Sequence, residues 1–293
     1  MPAAMVHALH GERIWKWLET ESAVAKGPLV KDAFEWGKQG PDFLFCHRFF
    51  PWQKGETLEE FGGRLHAEPP ENTLNVLKRI WQKRTQPAVH SYILGFLCHY
   101  SLDCTCHPYI EFLSQKLLKE EPGQTEDIFH NEIESALDGI VLRWETGKLP
   151  GEFRLESCFP KNEEAEAAIV GIYETLFEEL FHVSHKEKVL AQAEKDARLT
   201  FRILNDSTGL KKQVTERLEK GKKRTISCHL RGITEKGETD YANIAKGQWL
   251  DRQGSPHTDD FFQLFETAVE AAKELIIRFP IDDGDALAKE RYF

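Results

Sequence analysis

The chain has 293 residues, 41% of them hydrophobic with seven Trp and nineteen Phe, enough to fill a sizeable core and to exclude disorder as the default. Charged residues make up 29% and the formal net charge is -10, so the mean field repels polyanions and there is no strong nucleic-acid signal. That exclusion does not reach a small phosphate, because divalent cations gathered in a cleft can attract what the outer surface repels.

The opening, Met1 to His7, has neither a basic nor a long apolar export region, and no later stretch has the apolar length of a transmembrane segment; a cytoplasmic protein is expected. Cys46, Cys98, Cys104, Cys106, Cys158 and Cys228 are expected to be reduced thiols. The Cys104/Cys106 pair lacks the usual zinc-knuckle spacing and reads as small buried residues.

Apolar residues recur at helical spacing over Ile14 to Leu18, Leu74 to Trp81, Tyr92 to Leu102, Ile128 to Leu142, Ala165 to Phe181 and Phe261 to Phe279. Breakers fall between them, among them Gly40-Pro41, Pro69-Pro70, Pro122-Gly123 and Pro150-Gly151, with a glycine-rich region from Gly221 to Gly254. Alternating strand patterns are scarce, so the fold is expected to be mainly α, a multi-helix bundle. The basic stretch Lys211 to Arg224 reads as a solvated helix face running into a loop. A composition shift near Pro150, from a His-rich front to a Lys/Glu-rich back, predicts a catalytic core over residues 1–150 and a helical C-terminal extension over 151–293, packed on that core.

Eight of the twelve histidines precede residue 131. The densest run places His99, Asp103 and His107 at i, i+4 and i+8. Each four-residue step rotates a helix by only about 40°, so the three side chains leave one face. The apolar remainder, Tyr92 to Cys98, puts that face in the interior, where imidazole and carboxylate need partners that a metal can supply. Pro108 is expected to end this helix. His130 and Glu134 repeat the i, i+4 arrangement on a second helix, and with His107 they would make a three-ligand site with an open position. His10 reads equally as a ligand, a donor behind the ligands or a surface histidine at a helix start. His47 ranks below His66, and His90, His182, His185, His229 and His257 read as solvated or capping.

At this point the chain resembles the zinc-dependent phospholipase C family, which is related to the fungal single-strand-specific zinc nucleases. The resemblance rests on Met1-Pro2 with His7, Gln39-Gly40-Pro41-Asp42, Gly62-Gly63-Arg64-Leu65-His66, Gly95 to Asp103, His107-Pro108-Tyr109-Ile110 and His130 to Glu134, and more loosely on Trp249-Leu250-Asp251 and Phe261 to Phe265. It implies a mainly helical fold holding up to three Zn²⁺ at the base of a cleft. Asp42, His66, His99 and Asp103 would hold one ion. Asp103 would bridge to a second that also takes His7, and His107, His130 and Glu134 would hold the third. The family's N-terminal amine ligand follows cleavage of an export signal, which is not expected here, and the secondary amine of Pro2 would stand in once Met1 is removed.

The implied chemistry is hydrolysis of a phosphate ester, with zinc activating water for in-line attack at phosphorus and Asp42 serving as general base. A phospholipid or another small phosphodiester is the expected substrate. Phe43, Phe45, Phe49, Phe50 and Trp52 would form an apolar entrance or stack a base, unless they belong to the core. A His-Asp dyad phosphohydrolase needs an adjacent pair that is absent, and a ferritin-like di-iron site needs a second copy of Glu179-x-x-His182. The alternative of a different class is a non-catalytic helical metal-binding or interaction protein with a vestigial zinc site.

Overall fold

The computed structural model describes residues 4–20, 27–184, 186–233 and 239–288, and it is mainly α. The N-terminal amine of Pro2 and His185 lie outside those residues. In chain order the helices are α1 (Ala4–Thr20), α2 (Lys31–Gly37), α3 (Glu59–Ala67), α4 (Pro70–Lys83), α5 (Pro87–Glu120) and α6 (Glu126–Thr146). Then come α7 (Glu163–Phe181), α8 (Glu187–Leu204), α9 (Leu210–Leu218), α10 (Phe261–Arg278) and α11 (Gly284–Ala288). A two-residue antiparallel pair, β1 (Trp249–Leu250) with β2 (Pro256–His257), precedes α10. No described helix is long and apolar enough to cross a membrane.

α5 is the axis of the molecule, and α1, α2, α6, α7 and α10 all pack on it. Its first half is buried on every side from Tyr92 to Asp103, which is why the sequence there is almost wholly apolar. Pro108 does not end it. The helix runs on to Glu120 without the hydrogen bond that a proline cannot donate, a defect of about 3 kcal/mol in an isolated helix. Tyr109, Ile110 and Leu113 are buried beyond the proline, and Tyr109 Oη donates to the Tyr241 carbonyl at 2.8 Å. Burial of that second segment outweighs the local defect.

α2 crosses α5 at near backbone contact. A Cβ on Gly37 would lie 2.2 Å from the Tyr92 carbonyl oxygen, and one on Gly95 would lie 2.4 Å from that of Phe34. The two glycines thus draw the following 3-10 turn, Gly40–Cys46, against α5. Other helix ends follow ordinary capping chemistry. Thr125 and Asn162 accept amide protons at the starts of α6 and α7, Asp260 and Gln263 form a reciprocal cap on α10, and Gly147 closes α6 in the left-handed conformation.

One polar contact fixes where α1 begins. Asp138 of α6, fully buried, accepts the amide protons of Met5 and Val6 at 2.9 Å each through Oδ1. Its Oδ2 accepts from Arg231 Nε at 2.9 Å, and Arg231 is itself buried. A carboxylate at a helix N-terminus meets orphan amides and the positive end of the helix dipole. Asp138→Ala strands Arg231 in the interior and frees α1, so a stability loss of about 3–5 kcal/mol is expected in guanidinium denaturation. A loss under about 1 kcal/mol, the scale of a surface pair, would contradict the role of this strap.

Candidate metal centre

Five elements converge on one interior cluster. α1 brings His7, the 3-10 turn Asp42, α3 His66, α5 His99, Asp103 and His107, and α6 His130 and Glu134. The candidate ligand atoms form three groups, each with its members within 4.8 Å of one another: His7, His99 and Asp103; Asp42, His66 and His99; and His107, His130 and Glu134. The spacing of four along α5 therefore aims three side chains inward, and all eight residues named from the sequence meet in space.

Asp103 lies at the centre, and its two oxygens face different partners. Oδ1 is 3.2 Å from His7 Nε2 and 3.7 Å from His107 Nε2. Oδ2 is 3.1 Å from His99 Nε2 and 4.0 Å from His66 Nε2. Asp42 reaches His66 Nε2 at 3.1 Å with Oδ1 and His99 Nδ1 at 3.9 Å with Oδ2. Glu134 Oε1 stands 3.2 Å from His130 Nε2 and 3.8 Å from His107 Nε2. Ligands held about 2.0–2.1 Å from a tetrahedral ion lie about 3.3 Å apart, so the four shortest of these separations, 3.1–3.2 Å, match the edges of such a shell.

The charge balance makes the same case. Asp42, Asp103 and Glu134 are buried, and among the described residues the only cationic groups within 4.0 Å of them are imidazoles. Burial opposes charge on Asp103 and Glu134, yet the surrounding histidines hold both carboxyls well below their usual range. Burial likewise opposes charge on His107, but Asp103 and Glu134 overcome it and raise its pKa to about 9. Against the same burial, Asp103 raises His7, and Asp42 and Asp103 raise His66. His99, where burial wins, is lowered to about 4 and stays neutral. Protons and divalent cations compete for one set of nitrogens and oxygens, and an N/O donor set of this kind suits zinc.

Two backbone features prepare these imidazoles. His66 Nδ1 is 2.8 Å from the Gly62 carbonyl, an acceptor only, so Nδ1 carries a proton and Nε2, on the Asp42 side, is the nitrogen open to a metal once its own proton is displaced. Gly40 adopts φ +51°, and a Cβ there would lie 2.2 Å from His99 Cδ2; the imidazole occupies the room a side chain would need. Tyr92 Oη holds this turn by donating to the Gly40 carbonyl at 3.2 Å and lies 2.8 Å from Tyr173 Oη. In the sequence Gly40-Pro41 reads as a breaker and as part of the Gln39-Gly40-Pro41-Asp42 segment of the family resemblance; its φ and its contact with His99 depend on the tertiary approach of α2 to α5.

The remaining histidines divide. His10 is fully buried against Phe265 rather than at the surface, and burial lowers its pKa to about 3. His47 is buried beside Asp196, and neither residue joins the three groups. His90 stacks on Trp81 and bonds the carbonyl of Arg84 at 2.7 Å, a cap on the end of α4, and His182 closes α7 in the left-handed conformation. His257, expected to be solvated or capping, lies between Asp251 and Asp259 and stacks on Trp249. Of the aromatics after Asp42, Phe43 belongs to the core, Phe45 is half-buried beside His66, and the exposed Trp52 stacks on Phe50. The six cysteines are free thiols, with Cys106 buried and Cys104 half-buried.

The zinc-free protein has a definite pH signature. His107 contributes stability fully below its unfolded value of 6.5, and that contribution is lost as pH rises through about 9. Metal-free protein should therefore weaken between those limits in thermal unfolding, with an imidazole titrating near the upper one by NMR. His107 titrating at or below its ordinary value of 6.5, with no imidazole transition near 9, would contradict the charge balance.

The pattern defining the zinc dependent phospholipase C family matches residues 6–183, more than half of the chain, and takes in all eight clustered residues. Comparison with curated proteins and with solved structures finds no match. The extent of that family match, on a helical fold whose centre is built of imidazoles and carboxylates, establishes that the chain belongs to the zinc-dependent phospholipase C family.

Proposed function

We propose that this chain is a zinc-dependent hydrolase of phosphodiesters, acting on phospholipid headgroups or small esters of the same chemistry. The observation that carries the reading is the placement of Asp103, one oxygen toward His66 and His99 and the other toward His7 and His107. In this reading Asp42, His66, His99 and Asp103 would hold one ion, Asp103 with His7 would hold a second, and His107, His130 and Glu134 would hold a third. When bound, zinc supplies Lewis-acid activation of water and neutralises charge on phosphate oxygens.

The chain's own groups do the rest. His66, His107 and His130 keep 17–29% of their side chains exposed, whereas His7 and His99 are sealed, so phosphate approaches from the side of the first three. Phe45, beside His66, offers apolar contact to the alcohol portion of the ester at that entrance. Asp42, positioned by the Gly40 turn, accepts the proton of the attacking water on a carboxylate oxygen. Burial excludes bulk water from Asp103 and Asp42, which strengthens each electrostatic contact made there.

Zinc-loaded protein should hydrolyse a chromogenic phosphodiester such as p-nitrophenyl phosphorylcholine, and chelation should abolish turnover, with re-addition of zinc restoring it. Asp42→Asn should lower kcat by about 10²–10⁴ while most of the zinc is retained. Full turnover in that variant at full zinc content removes the base assignment. A zinc-replete wild-type protein that hydrolyses no phosphodiester removes the enzymatic reading itself.

A further inference from the structure

Most helices of this protein turn their apolar side inward, but α9 reverses the arrangement. None of its residues is buried. Leu210, Val214 and Leu218, spaced by four, form one stripe, and with Ile226 just beyond they are 43–68% exposed. The side of α9 facing the protein is held by polar contacts instead. Asp206 accepts the Lys212 amide proton at 2.9 Å, Lys212 Nζ donates to the Leu230 carbonyl at 2.7 Å, and Glu219 accepts the amide protons of Ile226 and Ser227. An apolar stripe at helical spacing ordinarily faces the core; here the anchoring chemistry points it outward.

The stripe sits in a strongly basic neighbourhood. Residues 210–226 carry seven Lys or Arg against two Glu, a formal +5 in a chain of net charge -10. Arg217, Lys220, Lys222 and Lys223 are exposed around the apolar residues, while Arg224 is tied to Glu121 and Glu132. Local charge opposite to that of the whole molecule marks a surface fitted to a negative partner. An outward apolar stripe rimmed by Lys and Arg is the physical profile of a segment that lies in the headgroup region of an anionic bilayer.

We propose that α9 and the loop to Ile226 form a docking surface for anionic membranes, with Leu210, Val214, Leu218 and Ile226 entering the interface and Arg217, Lys220, Lys222 and Lys223 contacting lipid phosphates. The segment lies outside the family match, which ends at residue 183. The inference makes no use of the metal centre.

The test is flotation of zinc-loaded protein with vesicles of phosphatidylcholine alone or mixed with phosphatidylserine. Binding should require the anionic lipid and weaken with added salt. Leu210→Gln with Leu218→Gln, and separately Lys222→Glu with Lys223→Glu, should each lower the partition coefficient by roughly tenfold or more. Both variants alter exposed side chains, so fold and turnover of a soluble phosphodiester should be unchanged. Absence of binding, equal binding to neutral vesicles, or binding that chelation of zinc abolishes and the α9 variants leave intact would each overturn the proposal. So would a dimer that Leu218→Gln dissociates, which would give the stripe to a second copy. Flotation and turnover are read separately, so failure of either leaves the other interpretable.

Discussion

Three carboxylates withdrawn from water, whose cationic neighbours within 4.0 Å among the described residues are imidazoles, set the terms for the rest of this fold. Such groups are costly to bury unless matching positive charge is brought to them. The match is assembled from five separate elements, so any device that fixes those elements also fixes the charge balance. Gly37 and Gly95 let α2 approach α5 and carry Asp42 inward. Asp138 ties the start of α1 to α6 and places His7 beside Asp103. The largest helix supplies three of the eight clustered residues from one face, so its register with α6 decides whether His107 and Glu134 meet.

Much of the centre is legible in the sequence because its strongest signal is local. His99, Asp103 and His107 share a face by helical geometry alone, as do His130 and Glu134. His7, Asp42 and His66 are isolated in the chain and were reached only through the family resemblance. What no local pattern carries is the preparation of the ligand atoms. The left-handed turn at Gly40, the space it leaves for His99, and the Gly62 carbonyl behind His66 are consequences of tertiary approach.

The fold class followed from periodicity, and its errors have physical causes. Pro108 was read as a terminus because local chemistry disfavours it within a helix, but burial of Tyr109, Ile110 and Leu113 continues the helix through it. The charges of α9 correctly suggested a solvated face. The spacing of Leu210, Val214 and Leu218 did not reveal that this apolar side points away from the molecule, because periodicity specifies a face and not its direction. The outcome is a molecule with opposite charge arrangements in two places: buried carboxylates ringed by imidazoles in the interior, and a basic surface helix in an otherwise acidic chain.

The central claim is that the clustered imidazoles and carboxylates hold zinc. Anomalous diffraction at the zinc edge, from crystals of the zinc-loaded protein, tests it most directly. The account predicts peaks within the three groups, with Asp103 between two of them. Zinc at His10, His47 or His257 with none beside Asp103, or no ordered zinc at all, would contradict it.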